Sequence, residues 1–186
     1  MRADKIDNEK YLSHLELIEL FKLVKGYYPD NKYKNLRNYL ILRLAYLHGM
    51  RISEVLDLKW SDVNFTDGLI TVRRLKGSIT ANQVMRSDEI KDLKKLKKYN
   101  YSTLLVFCNV NGTAIHRDTI LKLCNELSKG IDKKITPHSM KHTCGVHLAL
   151  AGKNIREIQY HLGHKDVLNT LIYLNYKPQG DANDLI

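Results

Sequence analysis

Apolar residues recur at helical spacing along most of this chain, and that period gives way to a hairpin-like stretch near its middle. Leu69-Ile70-Thr71-Val72-Arg73 is a strand-like run, Gly77-Ser78 marks a turn, and a second, more polar strand is predicted from about Thr80 to Met85. Helices on both sides of one small β element define an α+β, mainly α fold with a small β-sheet.

The flanking helices carry their own boundaries. Ser13-His14-Leu15-Glu16 reads as a capping box, in which Ser13 caps the helix start and Glu16 reaches back. Leu15, Ile18, Leu20, Phe21 and Val24 are expected to supply its apolar face, and the helix should end near Gly26. Tyr27 to Lys34 is expected to be a loop. A second helix from about Asn35 to His48 should stop at Gly49. A short third helix is predicted over Ser53 to Leu58, before the turn-rich Trp60 to Asp67. After the hairpin come a charged helix at Asp88 to Tyr99 and a short buried strand or turn at Leu104 to Phe107. Amphipathic helices then follow at about Arg117–Leu127, His138–Ala151, Ile155–Leu162 and Asn169–Leu174.

With 186 residues the chain suits one domain and can bury a core without disulfides or a structural metal. Cys108, Cys124 and Cys144 are odd in number and irregularly spaced, so they read as buried reduced thiols. The opening Met1-Arg2-Ala3-Asp4-Lys5 leads into polar residues, which predicts no signal peptide. The best apolar run, Tyr39 to Leu47, is broken by Arg43 and is too short to span a bilayer. A soluble, cytoplasmic protein is expected, with no membrane partner. Thirty Lys and Arg against twenty Asp and Glu give +10, a charge that attracts a polyanion, of which DNA is the commonest.

Five segments carry the chemistry. They are Gly49-Met50-Arg51-Ile52-Ser53-Glu54-Val55-Leu56-Asp57-Leu58-Lys59-Trp60, then Arg74-Leu75-Lys76-Gly77, then Thr136-Pro137-His138-Ser139-Met140-Lys141-His142-Thr143, then Tyr160-His161-Leu162-Gly163-His164-Lys165, and last Ile172-Tyr173. On a helix His138 and Lys141, three residues apart, share one face. Zinc could be read from the pairs His138/His142 and His161/His164, but no carboxylate or thiol ligand falls in register with them.

In this order the segments resemble the catalytic domain of the tyrosine recombinases, over roughly residues 12–178, with 1–11 as an N-terminal arm and 179–186 as a C-terminal tail. The resemblance implies DNA cleavage and rejoining through a 3′-phosphotyrosyl intermediate, with no metal and no cofactor. It implies Tyr173 as nucleophile, with Tyr176 as its rival three residues on, and Arg51, His138, Lys141 and His164 as the groups around the phosphate. His138 would hydrogen-bond the phosphate or help move the tyrosine proton. Lys76 is implied as the acid for the leaving 5′ oxygen. Lys141 departs from the pattern, since the family normally has arginine there, and a lysine keeps the charge but loses the planar fork. His142 and His147 are expected to serve packing or capping. Roughly ten residues precede the first capped helix, so the extra N-terminal helical domain of most family members is expected to be missing.

Tyr46-Leu47-His48-Gly49-Met50-Arg51 and the segment His138 to Gly145 are similar to the short fimbrial DNA invertases. That similarity implies double-stranded DNA with short inverted repeats as partner. It also implies inversion of a promoter segment, a homotetramer on two sites and accessory DNA-bending proteins. Two alternatives stand beside it. One is a non-catalytic DNA-binding regulator on the same fold, motivated by Lys141. The other is a type IB topoisomerase-like enzyme, which the small size argues against.

Overall fold

The computed structural model describes residues 11–74, 78–99 and 101–176. Among them eight α-helices surround one three-stranded sheet. Helix α1 (His14–Gly26) begins at Ser13, and both bonds of the expected capping box form: Ser13 Oγ accepts the Glu16 N–H, and Glu16 Oε2 accepts the Ser13 N–H at 2.7 Å. The buried face differs from the one expected. Leu17, Leu20 and Val24 point inward, while Leu15 and Ile18 are exposed. Leu15 lies two residues from Leu17, about 200° around the helix, so the face that meets α2 (Lys32–Leu47) and α5 (Arg117–Ile131) leaves it outside.

Helix α2 starts earlier than expected, because Asn31 caps it by accepting the Lys34 N–H at 2.8 Å, which shortens the preceding loop. It packs against α1, α3 (Ile52–Leu56), α4 (Ser87–Lys97) and α6 (Ser139–Leu150), and so forms the axis of the core. Polar side chains buried on it find partners. Arg37 donates to the Cys108 carbonyl at 3.1 Å, and Arg43 pairs with Asp88.

The sheet runs β1 (Val63–Asn64), β2 (Leu69–Val72), β3 (Ala81–Val84), all antiparallel. β1 was expected only as turn; two residues are too few to show a period. Ile70 pairs with Gln83 and Val72 with Ala81, so these four share the inner face. The polar member, Gln83, is satisfied there by His48 Nδ1 at 2.8 Å and the His161 carbonyl at 3.0 Å. The stretch around Leu104 to Phe107 is a bridge and turn, with Leu105 opposite Lys59 and with Val106 and Phe107 buried.

Helix α7 (Ile155–Leu162) is capped by Asn154 and ends at Gly163, at φ +67. The last expected helix is shorter than predicted. α8 (Leu168–Leu171) stops before Tyr173, whose N–H bonds back three residues to the Thr170 carbonyl at 3.0 Å. The three cysteines are free and buried, and burial raises the Cys124 and Cys144 thiols to about 12. Among the described residues no helix is long and apolar enough to cross a membrane.

Candidate active site

Arg51 is delivered by a tight exit from α2. Gly49 takes φ +55, and a Cβ there would lie 2.5 Å from Leu162 Cδ2, so the exit also sits against the end of α7. Arg51 then begins α3, with its guanidinium partly exposed and Nη1 donating to Glu54 Oε1 at 2.8 Å. Glu54 is buried, and its Oε2 accepts the Arg51 backbone N–H at 2.8 Å and Arg74 Nη1 at 3.0 Å. Burial alone would raise this carboxyl; the Arg51 N–H and then the charge of Arg74 hold it below the usual range.

His138 sits at the start of α6, and Lys141 follows in its first turn. Lys141 is buried, and its Nζ donates to the Leu162 carbonyl at 2.6 Å. Burial first, then the charge of Arg74, bring its ammonium down to about 7. Burial and the charges of Arg117, Arg51 and Lys141 also lower His138. His164 follows Gly163, and its Nδ1 meets Thr170 Oγ1 at 2.9 Å. Burial, with Lys141 and Arg51 next, takes it to about 4, so its ring is neutral near pH 7.

Tyr173 is buried against α6, where Gly145 makes room: a Cβ at that position would be 2.4 Å from the tyrosine Cζ. Its hydroxyl contacts His142 Nδ1 at 3.1 Å, and burial pushes the phenol well above its ordinary value.

These groups meet at one cleft of about 460 Å³. Of the residues expected from sequence, Arg51, His138, Lys141, His164 and Tyr173 all line it. Lys76 falls outside the described residues; Ser78, two positions on, lines the cleft. The rival Tyr176 is not part of the lining, and its ring meets Tyr11 edge-on at 5.2 Å. His147 does pack, stacked on His14 and bonded to the Tyr46 hydroxyl.

His142 departs from the expected packing or capping role, since it lines the cleft and touches the tyrosine hydroxyl. Sequence reasoning also passed over Glu54, Arg74, Lys165 and Asn169. The first three lie inside the quoted segments, yet only the fold shows that Glu54 and Arg74 meet. Among the described residues no group of three or more His, Cys, Asp or Glu side chains is placed to hold a metal ion.

The protein is a mainly helical domain with a small sheet, whose cleft gathers an arginine, two lysines and three histidines beside a tyrosine. The chain belongs to the phage integrase family, the tyrosine recombinases, which matches residues 10–179. It is 32% identical over 145 residues to the type 1 fimbriae regulatory protein FimE of Escherichia coli K12, covering 74% of this chain and 73% of FimE. To FimB of the same strain it is 28% identical over 179 residues, covering 91% of this chain and 87% of FimB. The crystal structure of XerA recombinase superposes with a TM-score of 0.74 at 31% identity, covering 88% of this chain. The chain spans only 59% of XerA.

Proposed function

We propose that this chain is a site-specific DNA recombinase with its catalytic domain at 12–178 and Tyr173 as nucleophile. The Tyr173 oxygen bonds to a backbone phosphorus as the bond from phosphorus to O5′ breaks. The strand is stored as a 3′-phosphotyrosine, and attack by a 5′-hydroxyl of the partner strand reverses the step. Arg51 and Lys141 offset the charge that grows on the non-bridging oxygens, and His138 and His164 donate hydrogen bonds to them. Lys76 gives the leaving O5′ its proton. The phenolic proton passes to His142 Nδ1, which already contacts the hydroxyl. The observation that carries this reading is the convergence of α3, α6 and the turn after α7 on the cleft that holds Tyr173.

The similarity to FimE and FimB supports a fimbrial role: inversion of a promoter segment between short inverted repeats. Four protomers on two sites, accessory DNA-bending proteins and action on the cytoplasmic nucleoid belong to the same reading. The test is capture from a pool of nicked duplexes of random sequence. Adducts that survive detergent are sequenced, and a recombinase enriches one repeat.

A second reading, a DNA-binding regulator, is favoured by Lys141, whose ammonium is engaged by the Leu162 carbonyl in place of the family's arginine. Enrichment of a sequence by binding with no adduct would establish it.

A further inference from the structure

Arg74 follows β2 and is almost wholly out of water, with 1% of its side chain exposed. A buried guanidinium needs acceptors, and its two terminal nitrogens find four on two separate parts of the chain, while Nε is buried without one. Nη1 donates to the Gly49 carbonyl at 2.7 Å and to Glu54 at 3.0 Å. Nη2 donates to the His48 carbonyl at 2.8 Å and to the His161 carbonyl at 2.7 Å. Gly163 leaves the room, since a Cβ there would come within 2.5 Å of Arg74 Nε.

One arm of the fork therefore holds the turn just before Arg51, together with the carboxylate that grips the Arg51 guanidinium. The other bridges the His48 carbonyl, at the end of α2, and the last turn of α7, just before His164. Arg74 itself does not line the cleft.

We propose that Arg74 is a positioning residue for strand cleavage, locking the turn that carries Arg51 to the turn that carries His164 so that both address the same phosphate. The inference rests on the recombinase reading. Lysine cannot replace the fork. Its donors radiate from a single nitrogen and cannot span four acceptors on two turns.

The test uses the duplex recovered from the random pool, cut in a single turnover at saturating protein. Arg74→Lys is expected to slow cleavage by about 10- to 100-fold, the effect of a small misplacement of reacting groups. DNA affinity should stay within about threefold, because the groups that contact phosphate remain. Arg37→Lys is the control. That guanidinium is equally buried, but it holds the Cys108 carbonyl and does not line the cleft, so cleavage should be unchanged.

A second readout separates aim from general damage. Duplexes with sulfur in place of either non-bridging oxygen of the scissile phosphate give a pair of rates whose ratio reports where the donors point. Arg74→Lys should move that ratio. Should this variant melt below the assay temperature, Gln83→Met, which removes the second donor to the His161 carbonyl, is expected to move the ratio in the same direction. An unchanged ratio, or a loss no greater than that of Arg37→Lys, overturns the role of Arg74. Absence of any adduct with the unaltered chain overturns the recombinase reading as well.

Discussion

On the proposed recombinase reading, Lys141 puts a titratable cation beside the phosphate. In the free protein, burial and the neighbouring Arg74 bring it to about 7. Only the protonated form offsets phosphate charge, so activity that depends on it is full below that value and declines as pH rises through it. At limiting DNA the rate of adduct formation should therefore fall above about pH 7, whereas Lys141→Arg should stay flat to alkaline pH, because a guanidinium keeps its proton. At saturating DNA the bound phosphate favours the charged lysine, and the decline should move to higher pH. Parallel profiles for the two proteins would remove Lys141 from the reaction. Tyr173 and Tyr176 are separated more simply. Tyr173→Phe should form no adduct yet bind DNA nearly as before, while Tyr176→Phe should still form it. The reverse result would transfer the nucleophile to Tyr176.

Helix α6 supplies Lys141, His142 and the glycine that admits Tyr173. Alanine at position 145 would favour the helix by about 1 kcal/mol on propensity alone. Its Cβ, however, would clash with the tyrosine ring, 2.4 Å from Cζ, and overpacking of this kind costs about 1–3 kcal/mol. Gly145→Ala should thus lower stability to denaturant and displace Tyr173. Combined with Tyr173→Ala, which removes the ring, the same change should become neutral or stabilising. A Gly145→Ala protein more stable than its parent would show that the ring does not rest there. No sequence pattern announces this contact, because 28 positions separate the two residues. Features set by neighbours along the chain were legible: the Ser13–Glu16 box, Gly49 as a stop, and the paired strands. Leu15 and Ile18 were misplaced because the face a helix buries is chosen by what packs on it.

Across the whole molecule the same division holds between what is local and what the fold assembles. Net charge is readable from composition, and +10 predicts attraction to DNA without saying where the phosphate of interest sits. The motifs named most of the cleft because they are local in sequence, whereas the linkage of Glu54, Arg74 and His161 exists only once the sheet lies against α7. The global field and the cleft should therefore separate in experiment. Affinity should drop steeply with salt, since each neutralised phosphate releases counterions and contributes about −0.9 to the slope of log K against log salt. Lys141→Ala removes at most one such contact, so the slope should change by no more than about 1. Its cleavage should nevertheless fall about 100- to 1,000-fold, because the charge it faces is greatest in the transition state. EDTA should alter neither quantity if the protein's own cations do this work. Titrations at several salt concentrations and single-turnover cleavage of the same duplex, with and without EDTA, measure both effects. A Lys141→Ala protein that lost affinity and cleavage in equal proportion would place this lysine among the general DNA contacts, outside the chemical step.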